Sequence, residues 1–296
     1  MSDSLKAHIA LSFVALLYGL NYVIAKDVLS LGYMTPSGFI QLRAASGAIL
    51  FYIFNLLFIR EKMELKDILY TAFCSVFGVM VNMLAFFEGL KLTSPIHASL
   101  IMITTPILVL IASAIIVKEK ITLNRGIAIF LGFVGCCVLI LSGGSSSNTQ
   151  ASIWGDILIF INASSFGIYL VIVRRLLKKY NPFTVVKWLF LFGSIFILPF
   201  GASDLVQTNW ETFTTQIWLA VAYVVLGTTF LTYLGNAFAL SKVPATTVGF
   251  YIYFQPFIAS IAALSLGRDK INFVMIVAAA FLFGGVYLAT KPQKKG

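Results

Sequence analysis

Apolar residues run along this chain in long blocks with few polar interruptions. Ten blocks can be drawn, at about 8–25, 36–59, 68–90, 97–117, 124–141, 154–173, 183–200, 216–239, 246–266 and 273–290. Each is near the roughly 17–25 residues that a helix needs to cross a bilayer. The connections are short. The two longest are the Gly/Ser stretch at 142–152 and the segment at 201–215, and neither is long enough for a soluble domain. The pattern predicts an all-α, polytopic membrane protein of ten helices, almost all of it within the membrane.

Two of the blocks carry a proline near their middle. Pro106 stands in "LIMITTPILVL" and Pro256 in "GFYIYFQPFIA". Proline in a helix interior removes one hydrogen bond and clashes with the carbonyl four residues back, here that of Met102 or Ile252. Hydrocarbon offers no water to rescue that carbonyl. A central residue of a 20-residue span lies about 15 Å deep, so both prolines are expected near the midplane. Thr105 and Gln255 are the nearest side chains in sequence that can take up the freed groups.

The prolines also expose a repeat. At an offset of 150, Pro106 meets Pro256, Ile111 meets Ile261, "KEKI" (118–121) meets "RDKI" (268–271), and Gly135 meets Gly285. Near the start of each half, "YGL" (18–20) meets "FGI" (166–168) at an offset of 148. Two five-span units follow, at 8–142 and 153–291. Because five is odd, the second crosses the membrane in the opposite sense, giving an inverted repeat. Interrupted spans at corresponding places of two such halves point to a binding site between them.

Composition agrees with a membrane setting. The chain is 59% hydrophobic and 11% charged, against about a quarter charged in soluble domains. "MSDSLKAHIA" lacks a cleavage pattern, so the first span is expected to be retained as an anchor. Cys74, Cys136 and Cys137 all fall in apolar blocks and read as small core residues. With the N-terminus inside, fifteen loop lysines and arginines fall on the inner side and five on the outer. That bias predicts cytoplasmic termini in a cell (inner) membrane. It accounts for the net charge of +10 without nucleic acid, which would want one continuous basic face.

At this point the residues resemble a known family. "YGLNYVIAK" (18–26), Arg43 in the second span, "ASLIMITTPILVLIASAIIVKEKIT" (98–122) and "YIYFQPFIASIAALSLGRDKI" (251–271) are similar to the repeats of EamA-type drug/metabolite transporters. Asp269 stands where that family more often has glutamate. The resemblance implies a ten-helix bundle with a substrate pathway between two pseudo-symmetric halves, in a family whose members are mostly similar to exporters of small metabolites.

Intramembrane polar groups nominate the pathway. They gather in spans one, three, four, six, eight and nine, whereas spans five and ten offer small residues suited to close packing. The substrate-binding candidates are Asn21, Tyr22, Asn82, Thr105, Tyr169, Tyr233, Asn236, Tyr251 and Gln255, with Pro106 and Pro256 as gating positions. Tyr251 and Tyr253 are two apart, so only one is expected to face the pathway. Ser and Thr in such helices often bond their own backbone. Arg43 and Lys187 lie five to eight residues inside their spans, where snorkelling to headgroups competes with a bond to another helix. His97 begins the fourth span, and no Asp or Glu stands at the midplane. Glu88 reads as an interfacial partner of Lys91, and Glu119 and Asp269 as structural loop residues.

No H-E-x-x-H, G-x-S-x-G or Walker loop is present, so no enzyme, metal or cofactor is expected. The reading is a secondary transporter of small neutral or zwitterionic metabolites, amino acids first, working by alternating access. A receptor or scaffold that binds a small ligand without moving it is the alternative. The absence of clustered Lys/Arg at the midplane argues against phosphorylated substrates.

Overall fold

The computed structural model describes residues 2–30, 32–92, 101–120, 122–142 and 153–255, with scattered helical residues between 258 and 288. Pro256, His97, Ser99 and the Gly/Ser connection lie outside the described residues, as do the side chains of Tyr22, Lys91, Cys136 and Cys137. Among the described residues there is no strand.

Six helices are long and apolar enough to cross a membrane. They are α1 (Asp3–Ser30, apolar over Asp3–Asn21), α2 (Pro36–Ile59), α3 (Leu65–Gly89), α6 (Ile153–Leu177), α7 (Pro182–Val206) and α8 (Thr215–Lys242). Shorter ones are α4 (Thr105–Ile116) and α5 (Leu123–Ser142), and α9 opens with Ala245–Phe250. Large apolar side chains such as Ile49, Phe58, Leu69, Phe73 and Ile115 point outward, as expected of helices whose outer solvent is lipid.

Helix starts follow local chemistry. In α2 the Thr35 side chain accepts from the Gly38 amide, with Pro36 as the first helical residue. In α7 Asn181 accepts from the Phe183 amide, with Pro182 first. Proline is well placed there, because its missing N–H has no helical partner to lose.

Packing between the halves has internal symmetry. Adding five to every helix number maps the pair α1·α8 onto α6·α3, α2·α8 onto α7·α3, and α1·α9 onto α6·α4. The pairs α2·α7 and α4·α9 map onto themselves. This is the contact set of an inverted repeat about a two-fold axis running between α2 and α7. Those two helices cross closely. A Cβ on Gly47 would come within 2.6 Å of the Phe190 ring, so only glycine allows the approach.

The breaks in α4 and α9 differ from the sequence expectation. Pro106 is not interior: it is the second residue of α4, and a turn at Ile103 and Thr104 separates it from the helical residues Ile101 and Met102. In α9 a tight 3-10 turn occupies Tyr251–Tyr253. At the offset of 150 the two irregular stretches overlap at Ile103 and Tyr253. The irregular stretch precedes Pro106 by two to three residues and position 256 by three to five.

A second pair of breaks had no sequence signal. α3 widens into π-type turns over Val76–Val81, and its counterpart α8 does so over Tyr223–Leu231. A third wide turn, Asn55–Ile59, ends α2.

Candidate substrate site between the halves

A π-type turn shifts the backbone ladder and leaves carbonyls that the helix itself does not satisfy, and such turns are frequent at functional sites. In α3 those groups are met by polar side chains of the second half. The Tyr233 hydroxyl donates to the Gly78 carbonyl at 3.0 Å and Ser165 donates to the Phe77 carbonyl at 2.8 Å. Just beyond the wide turns, the Asn162 amide donates to the Asn82 carbonyl at 2.6 Å. In α8 the donor comes from the first half. Arg43 Nε donates to Thr229 Oγ1 at 3.1 Å and its Nη2 to the Thr228 carbonyl at 3.4 Å. The opposite half thus bonds the backbone of both irregular helices, and in α8 it shares that work with the helix's own Thr228, Thr229 and Thr232, which donate to the Val224 and Thr228 carbonyls.

Arg43 sits at the centre of this arrangement. It is 6% exposed, so it bonds another helix and does not snorkel. Its guanidinium lies 5.8 Å from the centroid of the Phe87 ring and within electrostatic reach of the Tyr18 and Tyr233 hydroxyls. Tyr18 belongs to the "YGLNY" stretch but was not among the candidate site residues; Arg43, Tyr18 and Phe87 are additions made by the geometry. The signal for Arg43 was its charge eight residues into an apolar block. Lys187 likewise reaches across, donating to Asn55 Oδ1 at 2.8 Å near the far end of α2.

The other candidates fall as follows. Asn21 is half-buried, with its Oδ1 3.3 Å from Thr228 Oγ1, which is also 3.0 Å from the Val224 carbonyl. Asn82 is half-buried on α3, and Asn236 is buried on α8 one turn past Thr232. Tyr169 is buried against Gly78, where a Cβ would collide with its ring. Tyr251 is tied to α1, its hydroxyl 2.9 Å from His8 Nδ1. Gln255 is half-buried, with its carbonyl facing Gly19 of α1.

One expectation for the freed carbonyls changes. Thr105 is fully buried, but its hydroxyl has no partner among the described residues. It is Thr104 that acts, donating to the Ile101 carbonyl at 2.6 Å. Ser164 and Thr232 bond their own helices, to Phe160 and Thr228. Asn162 Oδ1 is another buried acceptor without a partner among the described residues. Among the described residues no group of His, Cys, Asp and Glu is arranged to hold a metal.

The EamA-like transporter family profile matches residues 5–141 and again 153–291. The chain belongs to the EamA-like transporter family. It is 24% identical over 289 residues to an uncharacterized transporter of Archaeoglobus fulgidus, covering 98% of this chain and all of that relative. It is 24% identical to the uncharacterized transporter YyaM of Bacillus subtilis, over 97% of this chain and 94% of the relative. A solved crystal structure superposes with a TM-score of 0.79 at 19% identity, over 98% of this chain and 99% of that one; at this identity the likeness concerns the fold. The EamA chain described here is therefore a multi-pass membrane transporter for a small-molecule substrate, not an enzyme.

Outside the spans, two matched contacts join the halves. On the face that carries the N-terminus, Lys179 Nζ lies 2.7 Å from both Glu64 and Asp67, and the Tyr180 hydroxyl donates to Asp67 at 2.8 Å. The Asn181 amide adds a bond to Glu61 at 2.9 Å. The hydrogen bond from Lys179 holds the Glu64 carboxyl below its usual range, and bonds to Asp67 and Glu64 push the Lys179 ammonium up. On the opposite face Thr35 donates to Asp204 at 2.9 Å and Ser37 bonds the same oxygen. Beside them Tyr33 packs edge-on against Phe213 at 5.6 Å, within an apolar cluster that includes Val28, Met34, Phe39, Ile217 and Val221.

Proposed function

We propose that this chain is a secondary transporter of the cell membrane that exports small neutral or zwitterionic metabolites, amino acids first, by alternating access. The halves 8–142 and 153–291 are the units that rock against each other. Asn21, Tyr22, Asn82, Thr105, Tyr169, Tyr233, Asn236, Tyr251 and Gln255 line the pathway between them, and Pro106 and Pro256 are the gating positions next to its bends. Both termini are cytoplasmic.

One observation carries this reading. Both halves are irregular at corresponding places, α4 with α9 and α3 with α8, and in α3 and α8 the freed backbone is bonded by the opposite half. A site whose walls come from both halves changes shape when one half moves. The lysine and arginine bias supports the orientation. The amide, hydroxyl and aromatic character of the walls supports a small substrate without phosphate.

A metabolite-wide comparison of efflux from cells with and without the protein tests the proposal. Solutes that accumulate outside only in expressing cells, and then exchange across proteoliposomes, are the expected result. A purified protein that binds a solute but never moves it would make this chain a receptor.

A further inference from the structure

We propose that Arg43 is the countercharge for a single carboxylate on the transported substrate. The inference rests on the transport reading above and narrows it, from neutral or zwitterionic solutes to those bearing one carboxylate.

Depth is the first argument. Arg43 is the eighth residue of α2, which puts it about 10 Å along the helix at 1.5 Å per residue. In a hydrocarbon layer about 30 Å thick that is nearer the midplane than the surface. The side chain turns inward, at 6% exposure. Charges placed so are costly and mark pathways or counterions in membrane proteins.

The second argument is its partners. Its two hydrogen bonds go to neutral acceptors, the Thr229 hydroxyl and the Thr228 carbonyl. Among the described residues no carboxylate pairs with it. Tying α2 to the wide turns of α8 needs donors, which a neutral amide supplies; it does not need a positive charge. A guanidinium has five N–H donors in a rigid fork, and carboxylate matches the fork with two parallel bonds. The bonds to α8 fix the fork's orientation while leaving further donors for a ligand. The Phe87 ring at 5.8 Å and the tyrosines 18 and 233 supply low-dielectric walls with polar edges.

The third argument is asymmetry. Aligning Pro36 with Pro182 and Gly47 with Gly193 puts Leu189 at the place of Arg43 in the second half. The two-fold design therefore supplies one cation and no mate. Lys187 is engaged with Asn55. One fixed positive charge neutralises one negative charge, which suits a monocarboxylate and leaves a dianionic phosphate uncompensated.

The test uses the full-length protein in proteoliposomes, with counterflow of the twenty proteinogenic L-amino acids, their primary amides, L-lactate, glycerol and putrescine. Wild-type protein is expected to move at least one acid and to move its amide about tenfold more slowly or worse, the size of one lost charge-assisted bond. Arg43→Gln is expected to erase that preference, and Arg43→Lys to keep part of it. Loss of the preference is the deciding readout, since a purely structural arginine would slow acid and amide alike. Equal wild-type rates for acid and amide overturn the inference, and so does Arg43→Gln with its preference intact. Movement of glycerol or putrescine alone overturns it while leaving transport standing. A protein that moves no solute in the panel overturns the transport reading, and this inference with it. If Arg43→Gln fails to fold, the wild-type acid-to-amide comparison can still overturn the inference, and the preference of Arg43→Lys reads the role of the residue.

Discussion

The hydroxyl of Tyr233, on α8, donates to the carbonyl of Gly78, on α3, at 3.0 Å. The acceptor belongs to a π-type stretch and the donor to the opposite half, so this one bond completes an irregular helix and joins the two repeats. Hydrogen bonds between membrane helices average about 0.6 kcal/mol, because unfolded helices find other partners. A carbonyl in a π-type turn has fewer alternatives. Tyr233→Phe is therefore expected to cost about 1–2 kcal/mol, nearer the value for an unsatisfied buried acceptor. Thermal unfolding in detergent, compared with a control such as Tyr52→Phe on the exposed face of α2, reads the difference.

Gly78 is also pressed by Tyr169, and a methyl group there would run into the ring. Gly78→Ala should destabilise by about 1–3 kcal/mol through overpacking. The double variant Gly78→Ala, Tyr169→Leu should recover part of that loss. Failure of the second change to rescue the first would show that the backbone, and not the ring, sets the requirement.

Pro106→Ala is a sharper case now that the proline stands at the second position of α4. In a helix interior the exchange would raise helix propensity by about 3 kcal/mol. At a helix start the missing N–H was unpaired in any case, so the gain is expected to be under about 1 kcal/mol. The turn at Ile103 and Thr104 should persist, held by the Thr104 hydroxyl on the Ile101 carbonyl. Thr104→Val is then the variant that loosens the bend. Transport rates and melting temperatures of the two variants, measured side by side, check this order.

The cluster of Glu64, Asp67 and Lys179 gives a pH window. Glu64 is depressed from 4.5, so what it contributes is present above that value and is lost as pH falls through the lower folded value. Lys179 is raised from 10.5, so its contribution is present below that value and is lost as pH climbs past the higher one. Between about pH 5 and about pH 10 the cluster should leave stability flat. Removing Lys179 should lower the melting temperature more than Glu64→Gln does. The Asp67 side chain is 5% exposed and would keep, among the described residues, the Tyr180 hydroxyl as its donor, whereas Glu64 is 53% exposed. A variant pair with the opposite ranking would show that the exposed carboxylate matters more than the buried one.

Orientation can be read with single cysteines. Gln207 and Lys178 are both exposed, on opposite faces of the bundle. Gln207→Cys should react with an impermeant maleimide added to intact cells, and Lys178→Cys only after lysis. The reverse pattern would invert the assignment of the termini.

Much of this was legible in the sequence, and the reasons are physical. Span length is set by bilayer thickness, so apolar blocks mark helices directly. The prolines at 106 and 256 and the Gly135/Gly285 pair gave the repeat, because each constrains backbone wherever it occurs. The wide turns of α3 and α8 were not legible. No residue in "VFGVMV" forbids a regular helix, and the irregularity exists because Ser165, Tyr233 and Arg43 arrive from sequence positions far away. The charge of Arg43 was visible, but its direction was not, since an apolar helix surrounded by lipid has no periodic face to read. Lys179 and Asp67 carried no signal of each other across more than a hundred residues.

The two contacts that close the ends of the α2·α7 pair are related by the repeat but are made of different materials. One is a knot of charges between Lys179 and its carboxylates; the other is largely a patch of rings and aliphatic chains around Tyr33 and Phe213. Added salt screens the first and, if the anion is sulfate, strengthens the second. Cooling weakens the second, because apolar association fades at low temperature. On the alternating-access reading proposed above, ionic strength would act on the contact at one end of the bundle and temperature on the contact at the other.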